Sequence, residues 1–253
     1  MNLLSDALAW LIDPANWTGP SGIPTRAGQH LAITALTILL AGLIAWPAGV
    51  LIGHSRRGSG IIGALTGAAR AIPTLGLLTL FGLALGIGLE APLLALIVLA
   101  IPSLLAGAYA GIQAIDPAIA AAARAIGMSP AQVILTVEIP LALPVIIGGL
   151  RSATLQVVAT ATLAAYIADI GLGRYLFTGL KSRDYSEMLG GALAVVVLTL
   201  ILDVALAGCQ RLATRRIIDP APRARLSTTR TTGKNRNHPC PTAPSPVASS
   251  SRD

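Results

Sequence analysis

The stretch AAARAIGMSPAQVILTVEIPLALP, residues 121–144, lies between hydrophobic runs long enough to cross a membrane. It does not read as a connector. Asp116-Pro117 just before it supplies an N-cap and a first-turn proline, so a helix begins there. Ile119, Ala122, Ala123 and Ile126 fall on one helical face, with Arg124 on another. Gly127 stands where glycine ends a helix. Ser129-Pro130-Ala131-Gln132 then reads as a capping box with proline at the first position. Val133, Ile134 and Val137 form a second apolar stripe, which Pro140 and Pro144 are expected to stop. The expectation is a short helix, a sharp turn and a second short helix before the chain returns to lipid. A small alanine-rich surface of this kind suits a groove on a soluble partner.

The flanks explain why lipid is involved. The chain has 253 residues, of which 54% are hydrophobic and only 11% charged, and its mean hydropathy is +0.73. A soluble domain carries about 25% charged residues. The shortfall, with uncharged runs near 20 residues, implies an all-α integral membrane protein. Five spans are expected: Leu31–Ile52, Ala71–Leu89, Ala91–Ile115, about Val145 to Ala168, and about Met188 to Gln210. Pro73 breaks the second near its start, and Gly76, Gly82, Gly86 and Gly88 either pack closely against a neighbour or bend it around a pathway.

Three segments lie outside the spans. Residues 1–29 are read as an N-terminal segment whose helix, LLSDALAWLI, rests at the interface with Trp10 and Trp17 as anchors, or else as a frayed end. Asp6 and Asp13 and a short apolar run argue against a signal peptide. Residues 30–212 make the membrane domain, with the 116–144 loop inside it. Residues 213–253 are read as a disordered basic tail, either a spacer or a phosphosite or lipid contact.

The net charge of +7 does not point to nucleic acid, because half of the 18 basic residues lie at or after Arg211. Arg56 and Arg57, Arg124, and Arg211, Arg215 and Arg216 share one side of a five-span topology. The positive-inside rule makes that side cytoplasmic, N-out and C-in. Arg174, Lys181 and Arg183 in the 169–187 loop work against it. The basic face also nominates anionic membrane lipid as a contact, one that salt would screen.

Enzyme chemistry has little to stand on. His30, His54 and His238 are scattered, Cys209 and Cys240 form no framework, and no metal-binding or nucleophile motif occurs. No catalytic residue, metal site or bound cofactor is expected. A phosphate-binding Gly-x-x-x-x-Gly-Lys-[Ser/Thr] loop is absent too, so any ATP must be hydrolysed by another chain. A channel or secondary transporter would favour more intramembrane carboxylates than Asp203.

The 121–140 pattern resembles the EAA loop of bacterial ABC importer permeases. Ala121-Ala122-Ala123, three residues, Gly127, nine residues and Val137-Glu138-Ile139-Pro140 keep its spacing. RAIPTLGLLTL (70–80), LPVIIGGLRSAT (143–154) and TATLAAYIADIGLGRYLFTGL (160–180) look like the osmoprotectant branch. The resemblance implies a type I permease core whose loop is a coupling helix. It nominates Ala121, Ala122, Ala123, Arg124, Gly127, Val137 and Pro140 for contact with a cytoplasmic ATP-binding subunit. It also implies a second permease copy or paralogue and an external solute-binding protein. The expected cargo is glycine betaine, choline, carnitine or proline betaine, with methionine or sulfonates as alternatives. Two departures stand out: Ala121 replaces the motif's acid, and Asp169 adds a charge to the glycine-rich turn. Asp169, Arg174 and Lys181 are the residues placed where the binding protein would dock.

Arg151 and Asp203 fall at similar depth in spans four and five, counting about 1.5 Å per residue. They are expected either to pair or to snorkel and meet a dimer partner separately. With 4% aromatic residues, and Trp46, Phe81, Tyr109 and Tyr166 scattered, no cation cage is legible. High-affinity recognition is therefore assigned to the external protein.

Overall fold

The computed structural model describes residues 2–218, which form helices and turns. The helices are α1 (Leu3–Ile12), α2 (Ile23–Ser55), α3 (Ser59–Ala71), α4 (Thr74–Leu85), α5 (Glu90–Gln113), α6 (Pro117–Ala125), α7 (Pro130–Ala164), α8 (Gly173–Ser182) and α9 (Tyr185–Ile218). Of these, α2, α5, α7 and α9 are long and apolar enough to cross a membrane singly.

A fifth crossing follows from chain direction. Gln113 Nε2 donates to Gly53 O at 3.1 Å, so α2 and α5 end side by side and run parallel. The chain between them must return to the other end, and α3 with α4 makes that return. The span expected over Ala71–Leu89, with a break at Pro73, is thus α4 together with the preceding α3, the two bent by 80°. The break falls at Ile72-Pro73, where Ile72 is extended (φ −71°, ψ 121°), the conformation proline imposes on the residue before it. Of the glycines, Gly82 packs: a Cβ there would stand 2.9 Å from Ile167 Cδ1. Gly86, with φ +87°, ends α4.

The core is a stack of α2, α5 and α7 held at small residues. A Cβ on Gly49 would lie 2.7 Å from Leu105 O of α5, and one on Gly107 would lie 2.7 Å from the Cα of Gly149 on α7. In lipid, apolar burial drives helices together weakly, and close backbone packing takes over that role. Ala41, Ala45, Leu96, Leu104, Ala153 and Val157 fill the stack around these contacts.

Four expectations change. The proline stop fails: Pro140 and Pro144 lie within α7, which runs from Pro130 to Ala164. After an α-helical opening at Pro130–Gln132 comes a π-segment, Val133–Glu138, and Ile139 N–H bonds to Ile134 O. That wider turn removes the clash a proline ring makes with the carbonyl four residues back. The 169–187 loop contains a helix, α8, whose apolar positions are diluted by Gly173, Arg174, Thr178 and Lys181. The boundary at residue 30 falls inside α2, which starts at Ile23. The boundary at 213 falls inside α9, and the rest of the expected tail lies outside the described residues. Helix α1 is present over the expected residues, packed on α9 with Trp10 edge-on to Tyr175 at 5.1 Å and seated against Gly190.

Gly107→Val should push α5 and α7 apart and cost about 1–3 kcal/mol, the usual range for overpacking. Thermal unfolding in detergent should show the loss. Gly63→Ala, with no atom within 4 Å of the added carbon and a helix-interior position, should not lower Tm.

Candidate functional site

Helix α6 is built from local signals. Asp116 Oδ1 accepts from Ala118 N at 2.8 Å, and Pro117 opens the first turn. At the other end Gly127 adopts φ +91°, Gly127 N–H bonds Arg124 O, and Met128 N–H bonds Ala123 O. This is the double bond of a glycine C-cap. Ser129 and Gln132 then complete a reciprocal capping box. Ala120 and Ala123 are buried against Val133, Met128 and Val137. The stripe read from the sequence is therefore split. Ala123 turns inward, whereas Ala121, Ala122, Arg124 and Gly127 are exposed. Ile126 is 81% exposed and Leu135 65% exposed on the same elbow, so it presents apolar knobs to its surroundings. Val137 is half-buried and Pro140 exposed.

The elbow is tied to the bundle on both sides. His54 Nδ1 lies 2.7 Å from Glu138 Oε2, and Glu138 is only 2% exposed. Arg56 donates to Ile115 O at 2.8 Å. The end of α2 thus grips the chain just before α6 and just after the elbow. Sequence reasoning missed this grip, since His54 and Glu138 are 84 residues apart. The one available signal was an acid, Glu138, set among apolar residues at the mouth of a span.

Deeper in the bundle Arg151 and Asp203 meet. Nε lies 2.6 Å from Oδ1 and a terminal nitrogen 2.8 Å from Oδ2, a two-point contact between α7 and α9. At the far end, Asp169 accepts from Arg26 at 3.0 Å and from Arg174 at 3.3 Å. Arg26 also donates to Asp169 O, and Gln29 Oε1 accepts from Gly171 N. His30 Nε2 reaches Val158 O at 3.0 Å, and Gly171, with φ +74°, lets His30 pass close by. So α2 holds the turn after α7 through Arg26, Gln29 and His30. Lys181 stands apart, exposed, in the last turn of α8. Arg26 escaped notice because it was placed before the first span. The aromatic residues pair only by twos, Trp10 with Tyr175 and Tyr166 with Phe177. Among the described residues no group of three His, Cys, Asp or Glu could hold a metal ion.

Five crossings and an exposed, capped elbow at one end give the architecture of a multi-pass helical membrane protein. Residues 31–219 match the family described as the binding-protein-dependent transport system inner membrane component, and the chain belongs to it. It is a multi-pass inner-membrane subunit of a bacterial ABC importer that works with an ATP-binding subunit and a solute-binding protein. Similar curated proteins include the choline transport system permease protein OpuBB of Bacillus subtilis (strain 168), 33% identical over 72% of this chain and 84% of that one. The glycine betaine/carnitine/choline permease protein OpuCB of the same organism is 33% identical over 75% and 87%. The osmoprotectant import permease protein OsmW of Salmonella typhimurium is 31% identical over 78% and 92%. In fold, an inward-facing structure of the MetNI methionine ABC transporter aligns with TM-score 0.68 over 80% of this chain and 99% of its own, at 22% identity.

His54→Ala leaves a buried carboxyl without its partner and should cost about 1–3 kcal/mol, read as a lower Tm in detergent. Glu138→Gln keeps a hydrogen-bonding side chain and should cost less. Arg151→Asp and Asp203→Arg should each reduce folded protein in the membrane, and the double swap should restore it. A double swap no better than either single change would show that the pair does not join α7 to α9.

Proposed function

We propose that this chain moves a small quaternary-ammonium osmolyte, of the glycine betaine or choline type, into the cell. The observation that carries the coupling part of the reading is the exposed elbow at 119–135. A capped helix with Ile126 and Leu135 in the open is costly in water unless a groove covers them. The ATP-binding subunit is the partner that fits. Ala121, Ala122, Arg124 and Gly127 lie on the face it would cover, and ATPase closure would push α6 against the α2 and α7 ends that hold it. The absent acid at Ala121 leaves that contact to packing and to Arg124.

The cargo is inferred from relatives named for choline, glycine betaine and carnitine transport. The elbow end is the cytoplasmic one in this reading, which places the chain N-out and C-in. Arg56, Arg57, Arg124, Arg211 and Arg215 gather there, in reach of anionic lipid headgroups. The external binding protein then docks at the far end, where Asp169 and Arg174 form a polar patch and Lys181 adds a separate exposed charge. Two permease chains are needed to enclose a passage, either two copies or a copy and a paralogue.

The test is uptake of radiolabelled glycine betaine in cells lacking other osmolyte importers, with this chain co-expressed with its ATP-binding and binding-protein subunits. Ala122→Arg changes an exposed position and should leave membrane levels intact. Uptake should fall by about tenfold or more, within the range of coupling energies between sites. Full uptake in the variant would remove α6 from coupling. Wild-type uptake of methionine but not of betaine would replace the cargo.

A further inference from the structure

The bundle shows two kinds of exposed surface at membrane depth. On α2 the exposed residues include Leu36, Leu39, Leu43 and Ile44, and on α9 Val196, Leu200, Ile201 and Val204. These suit lipid. On α7, Leu141, Leu143 and Val145 are exposed as well, but polar residues follow them towards the middle of the crossing. Ser152 and Gln156, one helical turn apart, are both exposed near the middle of that crossing. Ser103, past the midpoint of α5, donates to Gln156 Oε1 at 2.7 Å. Together with Thr66 of α3 and the Gly107–Gly149 contact they border a cavity of about 200 Å³. Hydroxyl and amide groups facing hydrocarbon each cost free energy, and polar groups at this depth line wet paths or protein contacts. The asymmetry therefore separates a lipid side of the bundle from a side that faces water or protein.

We propose that Ser103, Ser152 and Gln156 line the solute passage and form a resting site for the cargo within the membrane. This rests on the transport reading above and adds the place where the cargo sits. The chemistry fits a small, methylated, zwitterionic amine. Ser103 occupies the carbonyl half of the Gln156 amide, so the N–H₂ half and the Ser152 hydroxyl remain as donors to a carboxylate. The quaternary ammonium donates no hydrogen bond and needs only contact surface, which Pro102 and Ala106 provide beside the polar groups. The described side chains bordering the cavity carry no charge and no aromatic ring, so the hold comes from neutral dipoles. A site of this strength releases its solute readily, as a passage must.

The test uses the assembled importer in proteoliposomes, with Cys209→Ser and Cys240→Ser as background. Ser152→Cys and, as a lipid-side control, Leu200→Cys are treated with a membrane-impermeant cationic thiosulfonate. A thiol ionises and reacts only where water reaches it, so Ser152→Cys should react about tenfold faster than the control. Excess glycine betaine, delivered by the binding protein, should slow that reaction. In the unlabelled importer, Gln156→Leu should lower betaine uptake while binding-protein-stimulated ATP hydrolysis persists, because coupling runs through the elbow. Equal reaction rates at the two positions would overturn the passage. Fast labelling that neither betaine nor choline slows would overturn the resting site. Fast labelling slowed by another delivered solute, with no wild-type betaine uptake, would support the passage and overturn the cargo reading instead.

Discussion

Backbone meets backbone where α5 crosses α7, and little else in the bundle could stand where it does without that contact. A side chain starting at Gly107 would meet the Cα of Gly149 at 2.7 Å. Lipid tails are as apolar as leucine, so helices in a bilayer gain stability from how closely they pack. The crossing at Gly107 and Gly149 sets α5 and α7 near enough for Ser103 to reach Gln156. Gly49 and Gly53 do the same for α2 on α5, which brings His54 to Glu138.

Polar contacts then fix the register at three depths. His54 with Glu138 and Arg56 with Ile115 hold the elbow end. Arg151 with Asp203 joins α7 to α9 within the bundle. Arg26, Gln29 and His30 hold the turn at the far end. Each uses groups that would be costly alone, and each closes on a partner outside its own helix. Helix α2 takes part in the outer two, so one continuous helix links the elbow to the far end. A permease needs two packings of one bundle, and rigid helices joined at discrete contacts can switch between them without melting.

The elbow owes its stiffness to a feature that proline rules conceal. The chain passes from capping box to membrane crossing in one helix, through a π-segment that absorbs Pro140 and leaves Pro144 inside the crossing. A flexible joint there would dissipate motion. A continuous helix instead runs from Pro130 to Ala164 and joins the elbow to the polar face at Ser152 and Gln156.

Local physics was legible in the residues themselves. Asp116-Pro117, Gly127 and the Ser129–Gln132 box specify their caps within four or five positions, and long uncharged runs specify crossings, because each depends only on near neighbours and on lipid. The similar depths of Arg151 and Asp203 could be counted for the same reason. What spans distance was not legible. The 80° bend at Pro73 needed the parallel course of α2 and α5 to become a crossing, and α8 needed Ile23, Ala194 and Val195 to bury Tyr175. His54 and Glu138, or Arg26 and Asp169, are unremarkable in sequence and become clamps only when packing removes water from between them. Which face of α7 meets lipid is likewise a tertiary fact, since exposure depends on where the neighbouring helices lie.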